Sequence, residues 1–315
     1  MANKWFNLSD GRFLTFLNSM GKKVYASGIP YMFVGGVAHQ VHMASYLCGI
    51  YRKNLMDLAT SGEIDLSNYL RSTDNVDVAF GLPQDSGYTE KVEALRKEDE
   101  EAVSRYERAK KMLRPSQMVE LNRKEQERKD RLNSRLNAIN EQRKIMREER
   151  IRLTLDSLVN EELDSISGKE IITVKQVRHG YNHPRYTLGM YDVQDRDRPL
   201  DVNLCREARD VSRNGDLKEL DDELYARFLF EAKDIVIPYA DSIDVTLRVM
   251  RAEDLLITKI SLWKHKHIVD SLNLVNYARK AGIPIDDNVV EEVLFKNPIL
   301  YSDYLRFKEF EEKLK

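Results

Sequence analysis

The chain has 315 residues, 42% of them hydrophobic, which is enough for about two domains with buried cores. Its 50 basic and 52 acidic residues leave a net charge of −2, which excludes a uniformly basic nucleic-acid binder. Two cysteines, Cys48 and Cys205, exclude a disulfide framework or a four-thiolate zinc site, and the absence of an ~18-residue apolar run or an apolar leader predicts a soluble, cytoplasmic protein with no membrane contact.

Residues 10–27 read as an amphipathic helix. Asp10 can cap it, Phe13, Leu14, Leu17, Met20 and Val24 share one face, and Gly28–Ile29–Pro30 stops it. YMFVGG follows, a short apolar strand running into Gly35 and Gly36, and VAHQVHMASYL resumes helical character. Residues 45–70 read as an extra segment, and NVDVAFGL at 75–82 alternates as a strand.

The next stretch changes character. Residues 91–150 hold 18 Lys/Arg and 13 Asp/Glu, and from Tyr88 to Ser167 there is no glycine and one proline, Pro115. That composition favours helix, so two helices are expected, broken at Arg114–Pro115–Ser116, with Ser116 able to cap the second. Leu132, Ile139, Met146 and Leu153 recur every seven residues with Leu136 beside them, while Arg135, Gln142 and Glu149 are polar, which makes half of a coiled-coil seam. A solvated hairpin and a binding arm for RNA or protein, or a self-association element, all fit this pattern.

Beyond the charged insertion, residues 171–177, 185–192, 199–205, 234–238 and 243–249 read as strands and Asp216–Phe230 as a helix. From Ala252 the chain is helical, with breaks near Gly282–Pro284 and Asn297–Pro298. Strands then helices in that order predict an α+β fold with a helical C-terminal part.

Three features bear on chemistry. Glycines at 35 and 36 allow close backbone approach, and the helix behind them offers free N–H groups to an anion. Asn75 and Asp77 lie two apart in a strand, on one face, as oxygen donors for a hard cation. Asp201 is an acidic residue inside the apolar strand Pro199–Leu204, where burial is costly without a partner. His39 and His42 sit three apart on a helix with no third ligand near, which favours packing over zinc. His265 and His267 flank Lys266, a setting suited to an anion. No phosphate-binding G-x-x-x-x-G-K-[ST] loop is present.

The order helix, strand, Gly–Gly, helix, strand with N-x-D, then a later strand with one Asp resembles the nucleotidyltransferase superfamily, the polymerase-beta-like fold, and within it the abortive-infection toxin-type branch. FVGG and Arg71-x-Thr73-x-Asn75-x-Asp77 carry the likeness, together with Glu253–Asp254–Leu255–Leu256–Ile257–Thr258–Lys259 and then Lys264, Lys266 and Asp270. It covers roughly residues 10–87 and 185–280. Asn75 stands where the pattern has its first aspartate, and His267 where the later pair has its first.

The resemblance implies a nucleotidyltransferase-like mixed sheet with flanking helices over 1–87 plus 168–250, to which composition and element order add a charged helical-hairpin insertion at 88–167 and a C-terminal helical domain at 251–315. It implies Mg²⁺-dependent transfer of a nucleoside monophosphate from an NTP to a hydroxyl on RNA, protein or a small molecule, with a toxin-like role and a partner antitoxin as one form. Asp77 and Asp201 would be catalytic and, with Asn75, would hold the metal; Gly35, Gly36, Arg71, Thr73 and Lys259 would bind the nucleotide. Asn75, which offers a carbonyl oxygen and no charge, leaves open a catalytically impaired binding protein on the same fold, and the insertion leaves open a coiled-coil scaffold.

Overall fold

The computed structural model describes residues 7–70, 75–81, 86–112, 114–158, 162–164, 166, 171–179, 185–192, 198–205, 227–296 and 298–313. For residues 75, 86, 115, 116, 148, 155, 162–164 and 171–205 within that set, the description is of the backbone alone.

Local signals set the first elements. Helix α1 (Gly11–Ala26) opens on Asp10, whose carboxylate accepts the Arg12 N–H at 3.0 Å, and it buries the five apolar side chains of its expected face. Gly28, at φ 72, turns the chain into strand β1 (Tyr31–Phe33). All three residues of β1 are buried, so both faces of this strand are covered. Helix α2 (Gly35–Tyr51) follows at once and runs beyond its expected end. It buries side chains around its whole circumference, which marks it as an interior helix rather than a surface one. The segment read as extra holds the end of α2, helix α3 (Leu55–Ser61), with Asn54 capping through Oδ1 to the Asp57 N–H, and a 3-10 turn at Leu66–Asn68. Strand β2 (Asn75–Phe80) precedes the charged insertion.

The insertion is an antiparallel pair of helices, α4 (Ser86–Met112) and α5 (Pro115–Asp156). At 1.5 Å per residue α5 extends about 63 Å. Arg128 bridges to Asp99 and, at 2.7 Å, to Glu125; Arg135 meets Glu98 at 2.9 Å; and the Tyr106 hydroxyl donates to Asn122 Oδ1 at 2.9 Å. The seam of α5 is therefore met by α4 of the same chain. Its makeup differs from the simple heptad: Leu132, Leu136, Ile139 and Met146 are half-buried, but Leu153 is 55% exposed, and Arg143 and Arg147 turn inward near the base. Pro115 itself opens α5, so Ser116 lies inside the first turn; Gln117 Oε1 accepts the Arg114 N–H at 3.2 Å in place of the expected cap. The base of α5 is anchored in the body, where Ile151, Thr154 and Leu158 are buried and Arg150 reaches the Ser27 carbonyl at 3.4 Å.

After the hairpin come β3 (Glu162–Asp164), β4 (Ile171–His179), β5 (Arg185–Asp192) and β6 (Arg198–Cys205), each close to its expected bounds where one was expected. Of the helix expected at 216–230, residues 227–230 are described and helical; the rest lies outside the described residues. Strands β7 (Lys233–Ala240) and β8 (Ile243–Val249) form a hairpin, buried on alternate residues. Helices α6 (Ala252–Leu262), α7 (His265–Lys280), α8 (Asp287–Leu294) and α9 (Pro298–Lys313) complete the chain.

The fold is α+β. One mixed sheet runs in the order β3-β4-β5-β6-β2-β1-β8-β7. At its centre β1 is antiparallel to β2 and parallel to β8, while β2 is parallel to β6. Helix α2 packs on the sheet through β2, β7 and β8 and on its other side against α6 and α7, so sheet and C-terminal helices share one core. Tyr304 and Phe307 of α9 are fully buried in it. Among the described residues no helix is long and apolar enough to cross a membrane.

Candidate functional site

The site is built where β1 ends. Antiparallel pairing sets Phe33 opposite Val78, and the Val34 N–H donates to the Asp77 carbonyl at 3.0 Å. The C-terminal end of β1, the N-terminus of α2 and the start of β2 thus meet at one place. Gly35 takes φ 58, a left-handed conformation open to glycine at little cost. A Cβ on Gly35 would stand 2.8 Å from Asp77 Oδ2, so the carboxylate rests directly on the glycine. Gly36 is the second residue of the same helix. A carboxylate beside the unpaired N–H groups of a helix start is electrostatically favoured there.

Strand β6 completes the edge of this corner. Parallel register pairs residue 75 with 201 and residue 77 with 203, without a bulge. Because side chains alternate with a period of two, positions 75, 77, 201 and 203 fall on one face of the sheet. Asp201 is therefore a diagonal neighbour of Asp77, a separation of about 7–8 Å between α-carbons. Sequence separations of over 120 residues are bridged by this one pairing. Arg71 and Thr73 lie outside the described residues. Among the described residues no group of three or more His, Cys, Asp or Glu forms a metal cage; the side chain of Asp201 is not within that set.

Helices α6 and α7 pack against α2. Lys259 is buried, and its Nζ stands 2.6 Å from Asp270 Oδ2 on the neighbouring helix. The expectation placed Lys259 on the nucleotide; the structure gives its ammonium a carboxylate partner and removes it from bulk water. Asp270 is also the link to α2: His39 Nε2 donates to the Asp270 carbonyl oxygen at 3.1 Å. His39 lies four residues past Gly35, and Asp270 five past His265. At 1.5 Å per residue, both helix N-termini are within about 8 Å of that contact along their axes. The start of α7 carries exposed Lys264, His265 and Lys266, with Trp263 in the left-handed region at the corner before it. Each helix start offers positive potential to an anion, and at the start of α7 exposed basic side chains add to it.

The histidines resolve as packing groups. His42 is buried and its Nε2 donates to the Met250 carbonyl at 2.9 Å; burial lowers its pKa from the usual value. His39 and His42 thus aim at separate carbonyls rather than at a common ion. The Cys48 thiol is buried and pushed up to about 12 by desolvation, which leaves it without nucleophilic character. The role of His39 as a tie between α2 and α7 was not legible, since nothing local marks Asp270 as its partner. No protein-family model, curated protein or solved structure matches the chain.

Proposed function

We propose that the chain is a nucleotidyltransferase-fold protein that binds a nucleoside triphosphate between the Gly35–Asp77 corner and the start of α7, and transfers its monophosphate to a hydroxyl acceptor. The observation that carries this reading is the parallel register of β2 and β6, which brings positions 75, 77 and 201 to one face beside Gly35. A glycine cradle, a helix N-terminus and two carboxylate positions on adjacent strands are the parts that such a transfer requires.

The donor set is chemically suited to a hard divalent cation: carboxylates at Asp77 and Asp201 and an amide oxygen at Asn75. When bound, a cation of that kind supplies Lewis-acid stabilisation of charge on the phosphoryl oxygens. The protein's own groups do the rest. The α2 N-terminus and Gly35–Gly36 hold phosphate, and Lys264 and Lys266 balance the charge of the departing group. The acceptor oxygen bonds to the α-phosphorus, the bond from that phosphorus to the bridging oxygen breaks, and pyrophosphate leaves with the electron pair. The acceptor's proton passes to Asp201 or to water. Lys259 contributes by holding Asp270, and through it the α7 start, in place.

Asn75 favours a second reading, a binding protein of the same fold that does not turn over, because one charge fewer weakens cation binding. Calorimetric titration of Mg²⁺ and NTP onto the parent, Asp77→Ala and Asp201→Ala separates the two, together with transfer of label from α-³²P-NTP. Binding lost in both variants, with labelled product from the parent, supports transfer. Binding without product supports the second reading. No binding at millimolar NTP overturns both.

A further inference from the structure

We propose that the tip of the α4–α5 hairpin docks the phosphate backbone of a folded RNA. Residues 91–150 carry 18 basic and 13 acidic residues. That excess is not spread along the arm. Between Arg105 and Lys124 there are seven basic residues and two acidic ones, Glu107 and Glu120, so the whole surplus of five sits at the tip. The stem below is balanced and internally paired, through Arg128 with Asp99 and Glu125, Arg135 with Glu98, and Lys144 with Glu141. At the tip Glu120 is taken by Arg123 at 2.7 Å. Among the described residues Arg105, Arg108, Lys110, Lys111 and Arg114 form no ion pair, and all five are exposed. Arg105, Arg108 and Lys111 follow an i, i+3 row along one side of α4. The α5 N-terminus, opened by Pro115, adds its positive end at the same point.

The partner's chemistry follows from this distribution. Guanidinium forks match phosphate geometry, and an unopposed basic cluster on a rigid rod is an electrostatic footprint for a polyanion. A neutral stem and a body that is net acidic give a long DNA duplex nothing to track along. From Arg114 to the first buried residue at the base, Arg147, the arm reaches about 50 Å. A polyanion that is held at the tip and also reaches the Gly35–Asp77 corner, as the transferase reading requires, is a compact folded RNA. Docking of a polyanion rests on the charge distribution alone; that it is a folded RNA and supplies the acceptor hydroxyl rests on the transferase reading above.

The test is fluorescence anisotropy of a fluorescein-labelled folded RNA of about 70 nucleotides with the full chain, without NTP or Mg²⁺, at 50 and 200 mM KCl. Arg105→Glu/Arg108→Glu/Lys111→Glu is compared with a stem control of equal charge change, Lys97→Glu/Arg131→Glu/Arg152→Glu, both checked for folding by circular dichroism. The expected result is a loss of about thirtyfold or more for the tip variant at 50 mM KCl, a stem variant within about threefold of the parent, and a salt slope lowered by about 2–3 in the tip variant. Asp77→Ala should dock RNA as the parent does, so failed transfer and failed docking read out separately. Equal losses in both triple variants, no loss in the tip variant, or no binding by the parent overturns the proposal. Equal or tighter binding of duplex DNA, or binding confined to vesicles of 30% phosphatidylserine, overturns it as well.

Discussion

Lys259 Nζ stands 2.6 Å from Asp270 Oδ2, and both side chains are nearly sealed from water, at 5% and 7% exposure. A buried pair of this kind need not add stability, but removing one member takes the oppositely charged neighbour from a buried charge, a cost of about 3–5 kcal/mol. Lys259→Met and Asp270→Asn should therefore each lower Tm by roughly 6 °C or more, at about 2 °C per kcal/mol or somewhat above for a chain of this size. Lys259→Met/Asp270→Leu should recover most of that loss. A double variant as unstable as the sum of the two singles would show that the two groups act separately. Scanning calorimetry of the four proteins gives the answer.

Gly35 makes a sharper prediction. Alanine at φ 58 costs about 1–2 kcal/mol, and its methyl would sit 2.8 Å from the Asp77 carboxylate. Gly35→Ala should lower Tm by several degrees and weaken Mg²⁺-dependent NTP binding at least tenfold, because it displaces Asp77 as well as the helix start. The discriminating comparison is Gly62→Ala, also at positive φ, where a Cβ meets nothing within 4 Å. That variant should lose stability without losing NTP affinity.

The contrast between these two sites marks what could be read in the chain. The strand, Gly–Gly and helix succession was legible because each step is local: apolar residues at 31–34, then glycines, then an apolar helix. Asp10 as a cap and the N-x-D alternation were legible for the same reason. The β2–β6 pairing was not, since a parallel partner over 120 residues away leaves no local trace; only the resemblance suggested it. The Lys259–Asp270 pair was not legible either, because the carboxylate that meets Lys259 lies across a left-handed turn at Trp263, on another helix. In the insertion, the heptad was visible but its polar inner face was not: Arg143 and Arg147 turn inward at positions the seven-residue repeat did not mark, and Leu153, which it did mark, is left outside.

His42 gives a pH prediction with a defined sign. Burial lowers its folded pKa below 6.5, and the Met250 carbonyl and, less, Glu253 oppose that only in part. Between the two pKa values the unfolded chain binds a proton that the folded chain refuses, so stability rises with pH there. Its contribution is full above about pH 6.5 and is lost as pH falls from there toward the folded value. Urea midpoints at pH 5.0, 6.0 and 7.5 should show this fall in the parent. His42→Leu leaves the Met250 carbonyl unpaired and is less stable throughout, but its slope across this window should be shallower. An unchanged slope would mean that other groups carry the acid sensitivity.

The hairpin should be separable from the body along a line the ion pairs define. Asp99 meets Arg128 and Glu98 meets Arg135, so Glu100 and Arg131 stand close to level on the two helices. Replacing residues 101–130 by a short glycine–asparagine turn removes the tip and keeps the anchors Leu95, Ile151, Thr154 and Leu158, which are the parts buried at the base. Tm should change by no more than about 3 °C, because the outer helices are mostly solvated and bury little apolar area. NTP binding should be unaffected and RNA binding abolished. Light scattering should give the same subunit number for the full and the shortened chain, since α4 already covers the α5 seam within one molecule. An oligomer of the full chain that falls apart on shortening would instead restore the scaffold reading, and a body that unfolds would show that the outer arm is part of the core's support.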